Sequence, residues 1–238
     1  MIQNKKIILA SQSPRRQELL GKLDVTFDIQ IMDIDETFPP ELDPFKVPEY
    51  LARLKSDPFN GKVPEDTVVI TSDTVVINNN KIMGKPGDAT DALSMVLELS
   101  DKAHFVATGV CLQFSDRKIS FTNISEVEFE SVSEQEARYY IDKFQPLDKA
   151  GAYGIQEWIG QAKIKRINGC YYNIMGLPLN VLYNTLIEET SENIQNETRE
   201  YLDNTTSGEN YDLDTADNEK NLDLTNELKP SAMGISVW

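Results

Sequence analysis

The run from Thr67 to Ile77 constrains this chain most, because every residue in it except Ser72 and Asp73 is β-branched. Such side chains are stiff at χ1 and favour the pleated surface of a sheet, so the segment predicts a long, largely buried strand. A carboxylate inside it requires a partner, since burying an unpaired charge costs several kcal/mol or forces the group to take up a proton. Asp73 therefore reads either as a general base or metal ligand at a strand end, or as a turn aspartate bonding its own backbone. No glycine or proline beside it supports a turn.

Around this strand the first 187 residues alternate strand and helix signals, which predicts an α/β protein with a mixed sheet and flanking helices. Residues 6–10 read as a buried strand and 14–22 as a helix, followed by a strand over 25–32 and a helix over 49–55. Asn78 to Asn80 predicts a hairpin turn, and 88–99 is an amphipathic helix. Segments 104–114 and 118–130 predict a strand hairpin across Ser115 to Arg117. Ser133 and Glu136 form a capping box for a helix ending near Phe144. Glycines at 151, 154, 160 and 169 mark a loop-rich region, after which Pro178 opens a last helix.

From Glu188 onward the composition changes. Residues 188–238 hold thirteen acidic against three basic residues, and the remainder holds 26 against 20, so the overall charge of −16 falls to −6 in the body. The sequence thus predicts a domain over 1–190 and an acidic, mostly disordered tail over 191–238. A body of this charge lacks the basic stripe of a nucleic-acid surface. With no run of about eighteen apolar residues and no basic, apolar leader, a membrane partner is not expected and the cytoplasm is the default location. Cys111 and Cys170 lack metal or redox spacing and read as small buried hydrophobes. His104, the sole histidine, opens a strand and reads as structural.

The stretch Ile7 to Arg16 joins a strand to a helix start, with Ser13 as N-cap and Pro14 as first helical residue. Two arginines in a first turn oppose the positive end of the helix dipole unless an anion lies among them. Free N–H groups, the Ser11 and Ser13 hydroxyls and the guanidiniums would hold a phosphate; a capped surface helix with solvated arginines is the alternative. Asp33, Asp35 and Glu36 form an acidic group suited to Mg²⁺ or Mn²⁺, although such groups are also common on solvated loops. Lys85, between Gly84 and Pro86, sits in a close-approach loop. Arg53 and Lys55 point in different directions on their helix, so at most one reaches a common site. Gln156 ends a small-residue loop and presents an amide able to pair with a base edge. No P-loop, dinucleotide fingerprint or HExxH helix occurs.

Taken in order, Ser11-Gln-Ser-Pro-Arg-Arg16, Asp35-Glu36, Ala52 to Lys55, Ser72-Asp-Thr-Val-Val76, Gly84-Lys-Pro86, Thr108-Gly-Val110, Asp148 to Gln156 and Gly169 to Pro178 resemble the Maf family of nucleoside triphosphate pyrophosphatases. The resemblance spans about residues 5–187 and implies a Maf/ITPase-like fold with two lobes around a nucleotide cleft. It implies a metal-dependent acid-anhydride hydrolase that cleaves between the α and β phosphates, in a house-cleaning role. On that resemblance Asp73 is the proton acceptor, with Glu36, Lys55 and Lys85 as further catalytic positions. Ser11 and Arg16 bind substrate, and Glu36 and Asp73 hold Mg²⁺ or Mn²⁺. Arg15, Thr74 and Gln156 occupy the specificity positions and look like the subgroup acting on dTTP and UTP, with modified pyrimidine nucleotides as further candidates. A homodimer is implied as well. A nucleotide-binding regulator of cell division or septum formation, without essential turnover, is the alternative. Asp101 departs from the family's usual glycine in a Leu-Ser-Gly-Lys turn, and the acidic tail has no counterpart.

Overall fold

A computed structural model describes residues 5–190, so the acidic tail expected over 191–238 lies outside the described residues. The chain runs β1 (Lys6–Leu9), α1 (Pro14–Gly21), β2 (Phe27–Ile29), α2 (Val47–Ser56), β3 (Thr67–Asn78), β4 (Lys81–Met83), α3 (Ala89–Leu99), β5 (Ala103–Gln113) and β6 (Lys118–Phe129). It continues through α4 (Glu134–Phe144), α5 (Trp158–Lys163), β7 (Ile164–Asn168) and α6 (Tyr171–Met175), and a final helix, α7, occupies 179–190. The strands form one mixed sheet in the order β2-β1-β3-β5-β6-β7, with β4 also on β3. β1 is parallel to β2 and β3; every other pair is antiparallel.

The β-branched run forms the expected strand, but it continues to Asn78, and Asp73 lies in its middle rather than at an end. Where the sequence suggested a strand end, the strand continues and changes neighbour. Lys6–Leu9 of β1 pair with Thr67–Ile70, and β4 pairs only from Val76 onward. On the opposite side β5 pairs without a break from Val69 to Ile77. Residues 71–75 are thus held by β5 alone, and the sheet has a gap along one edge of its central strand.

Period-two alternation decides what faces each way. Val68, Ile70 and Val76 enter the main core with Leu19 and Leu20 of α1, Val96 of α3 and Leu182 of α7. Val75 and Ile77 pack on the opposite face against Val47 and Leu51 of α2. Asp73 therefore projects toward α2, whereas Ser72 and Thr74 project toward α1 and α6. α2 lies close to the sheet because Gly109, opposite Asp73 in the β3/β5 register, has no side chain: a Cβ there would come within 2.2 Å of the Pro48 backbone.

Several local expectations need correction. The strand predicted over 25–32 is limited to Phe27–Ile29, because beyond it residues 30–39 leave the edge of the sheet for the cleft. Ser13 occupies the N-cap position of α1 but its side chain caps nothing; the Ser13 N–H is instead held by Ser11 Oγ at 3.2 Å. The glycine-marked region contains α5 and β7, short elements whose flanking glycines obscured them. Cys111 is buried as expected, but Cys170 is half-buried. Asp101 has φ +56°, the left-handed conformation that explains why glycine suits that turn and why aspartate is tolerated in it. The capping box at Ser133 and Glu136 is present in full.

His104 is 1 % exposed, shares a 2.8 Å hydrogen bond between Nε2 and the Tyr153 hydroxyl, and packs edge-on against Phe129 and Tyr153. Burial pushes its pKa down from 6.5 to about 4. Between these values the unfolded chain binds a proton that the folded chain refuses, so stability falls as pH drops through this window. The effect is on the order of 3 kcal/mol. Urea unfolding between pH 7 and 4 should show this loss, and His104→Gln, which preserves a partner for Tyr153, should flatten it. Gly109→Ala should destabilise the fold by at least about 1–3 kcal/mol through overpacking, read as a lowered melting temperature.

Candidate active site

The gap in the β3 edge opens into a cleft of about 750 Å³. All nine positions predicted as site residues line it: Ser11, Arg15, Arg16, Glu36, Lys55, Asp73, Thr74, Lys85 and Gln156. The acidic group divides, since Asp33 and Glu36 line the cleft and Asp35 does not. Arg53 and Lys55 part as expected; Arg53 donates to Ser120 Oγ at 2.9 Å, away from Asp73.

On the α2 side of the sheet, two carboxylates converge on one ammonium. Lys55 Nζ lies 2.6 Å from Asp73 Oδ1 and 2.9 Å from Glu36 Oε2, and the Lys55 and Asp73 side chains are 16 % and 14 % exposed. This pair is too sheltered to be treated as a screened surface salt bridge. Lys55 is placed there by the packing of Leu51 and Ala52 and by a 2.6 Å bond from Thr71 Oγ1 to the Ala52 carbonyl.

The other side carries no carboxylate partner for its one guanidinium among the described residues and is hydroxyl-rich. Arg16 donates from Nε to the Gly176 carbonyl at 2.9 Å and from a terminal nitrogen to Thr74 Oγ1 at 3.1 Å. Burial pulls its guanidinium pKa down, while the charge of Asp73 raises it. Thr74 Oγ1 is 3.0 Å from Thr108 Oγ1, and Thr108 donates to the Asn173 carbonyl at 2.9 Å. This direction places the Thr74 proton on Thr108, so that each hydroxyl proton is bonded inside the protein. Having also accepted from Arg16, Thr74 then has one lone pair to offer the cleft and no proton.

Lys85 and Gln156 are on the rim. Lys85 is exposed, on a loop tied to the 148–157 segment by a 3.0 Å bond from the Gly151 N–H to the Gly84 carbonyl. Three contributors were not singled out from sequence: Thr108, Asn173 and Lys149. Lys149 lines the cleft and is 8 % exposed, bonded to Asp148 at 2.7 Å and Glu157 at 3.1 Å. All three fall inside motifs that carried the family resemblance, but only pairing across strands and loops reveals their partners.

A cleft of this size, with cationic side chains at a helix start and paired carboxylates beside an ammonium, defines a pocket for a polyanionic small molecule. The family model described as Maf-like protein matches residues 6–189, and the chain belongs to that family. The chain is 48 % identical over 182 residues to the dTTP/UTP pyrophosphatase of Bacteroides thetaiotaomicron, an alignment covering 76 % of this chain and 94 % of the relative. It is 48 % identical over 184 residues to the protein of that name from Porphyromonas gingivalis, covering 76 % and 92 %. It is 42 % identical over 188 residues to the one from Flavobacterium psychrophilum, covering 79 % and 96 %. Among solved structures, the Ham1 protein of Staphylococcus aureus aligns with a TM-score of 0.38 at 15 % identity, over 52 % of this chain and 72 % of that one.

Thr108→Val should cost about 1–3 kcal/mol in urea unfolding, as two hydrogen bonds are lost: the one to the Asn173 carbonyl, which keeps its bond from the Gly176 N–H, and the one from the Thr74 hydroxyl. Thr108→Ser should recover most of the bonding term.

Proposed function

We propose that this protein hydrolyses nucleoside triphosphates, dTTP and UTP foremost, to the monophosphate and pyrophosphate. The observation that carries the proposal is the convergence of Asp73 and Glu36 on Lys55 inside a cleft that is also lined by Arg15, Arg16 and Lys85. The name dTTP/UTP pyrophosphatase borne by the relatives supports the substrate choice. We place the catalytic unit at residues 1–190 and its reaction in the cytoplasm; no helix among the described residues is long and apolar enough to cross a membrane.

Water attacks a phosphorus, and the protein must take a proton while balancing charge on the phosphate oxygens. Asp73 accepts the proton of the attacking water. Arg16 and Lys85 offset negative charge on the phosphate chain and the departing pyrophosphate, and Ser11 holds a phosphate oxygen at the start of α1. Lys55 keeps Asp73 and Glu36 from repelling each other and orients the Asp73 carboxylate. Arg15, Thr74 and Gln156 meet the base. As an acceptor only, Thr74 suits the imide N–H shared by uracil and thymine.

The donor set also suits a divalent cation. Asp73 and Glu36 already reach one cationic point, and the described residues contain no group of three or more acidic, histidine or cysteine side chains poised to hold a metal. Two carboxylates completed by substrate phosphates is the arrangement Mg²⁺ favours, and Mn²⁺ accepts the same oxygen donors. When bound, such an ion lowers the pKa of water and neutralises phosphate oxygens.

Asp73→Asn should reduce pyrophosphate release from dTTP by about 10²–10⁴-fold with an unchanged circular dichroism spectrum. Wild-type turnover by the variant would refute the role of Asp73. EDTA should stop release and Mg²⁺ or Mn²⁺ restore it; undiminished release in metal-free buffer would remove the ion from the proposal. A panel of canonical and modified triphosphates fixes the base preference.

A further inference from the structure

The second carboxylate–lysine–carboxylate group on the cleft has no role in water activation, yet it is as fully connected as the first. Asp148 Oδ2 accepts from Arg15 at 2.8 Å, and its Oδ1 lies 2.7 Å from Lys149 Nζ. Lys149 continues to Glu157 Oε1 at 3.1 Å, and Glu157 Oε2 accepts the Tyr140 hydroxyl proton. The Tyr140 oxygen in turn accepts the Gly154 N–H at 3.0 Å. A Cβ at Gly154 would lie 2.8 Å from the Glu157 carboxyl carbon, so a larger residue there would displace this carboxylate. Hydrogen bonds from Lys149 and Arg15 hold the Asp148 carboxyl below the usual range against the opposing effect of burial, so it is charged at neutral pH.

This chain of contacts joins two parts of the sequence more than a hundred residues apart. At one end is Arg15, whose bond to Asp148 is the single hydrogen bond of its side chain among the described residues, leaving its other N–H groups for a ligand. At the other end is Glu157, next to Gln156. Asp148 is itself 61 % exposed, and as an isolated surface pair its bond to Arg15 would be loose. The sheltered Lys149 and Glu157, at 10 % and 17 %, fix the carboxylate in place.

We propose that Asp148 is a positioning residue for base recognition: it holds Arg15 at the cleft and, through Lys149 and Glu157, couples it to the loop bearing Gln156. Arg15 and Gln156 then read the nucleotide as one rigid pair rather than as two independent contacts. The inference rests on the reading, made above, that these two side chains meet the base.

The test uses the full chain and compares kcat/KM for UTP with that for GTP, alongside calorimetric binding of α,β-imido-UTP. Asp148→Ala should lower the UTP:GTP ratio by about three- to tenfold, in the lower part of the range for residues in direct contact. The loss should appear mainly in KM. Arg15→Ala should do the same, and the double variant should fall no further than Arg15→Ala alone. Asp148→Asn, which retains an acceptor for Arg15, should lie between Asp148→Ala and the unaltered protein, and serves if the alanine variant folds poorly. An unchanged ratio in Asp148→Ala, or losses that multiply in the double variant, would overturn the coupling. A protein that bound UTP analogue without cleaving UTP would defeat the proposed activity instead, with the coupling still read from the dissociation constants.

Discussion

The central strand changes neighbours halfway along, and the cleft follows from that change. β1 ends at Leu9 and β4 does not begin pairing until Val76, so the edge of β3 at residues 71–75 meets no strand on that side. A gap in the middle of a sheet would ordinarily expose backbone and admit water to the core. Here β5 pairs continuously along the opposite edge and keeps the segment extended. The rigidity of the site thus comes from β5, while access comes from the shortness of β1 and β4. This arrangement also brings the carboxyl end of β1 and the start of α1 to the gap, as is usual for ligand sites in open α/β sheets.

An open strand edge has a second consequence, because adjacent residues point to opposite faces and both remain reachable. Asp73 enters the charged half with Lys55 and Glu36, and Thr74 enters the hydroxyl half with Arg16 and Thr108. The proton acceptance proposed for Asp73 and the base contact proposed for Thr74 thus fall to neighbouring residues that do not compete for the same partners. Register makes the division exact in sequence terms: Gly109 opposite Asp73 admits α2, and Thr108 opposite Thr74 fixes the hydroxyl.

Much of this was legible beforehand because it depends on local chemistry. A carboxylate in a β-branched run, a proline-arginine helix start and a Gly-Lys-Pro loop each announce themselves within a few residues. Their assembly into one cleft came from resemblance, since no periodicity places Lys55 against Asp73. The direction of the Thr74 hydroxyl and the burial of Lys149 were not legible, because both depend on groups brought near by pairing of β5 with β3 and by folding of the 145–157 loop. Short elements were lost for a related reason. β7 has five residues with an exposed face, and tertiary pairing with β6, rather than propensity, makes it a strand.

The two lysine-centred groups differ in what a ligand can do to them. At Lys55 the cleft-facing Glu36 side chain is 53 % exposed, so its bond to the ammonium is the weaker of the two and the carboxylate can turn toward another cation. At Lys149 the inner partner, Glu157, is sheltered and additionally held by Tyr140, and the outer partner, Asp148, is tied to Arg15. Exchange of partners at the first group leaves the backbone free to stay as it is, because Glu36 lies on a loop outside the sheet. Exchange at the second would release Arg15 and the loop before Gln156 together. On the proposed function the same motif serves as a replaceable counter-charge beside the reacting phosphates and as a fixed clamp beside the base; burial is similar in the two groups, and the difference lies in the further ties of the second to Arg15 and Tyr140.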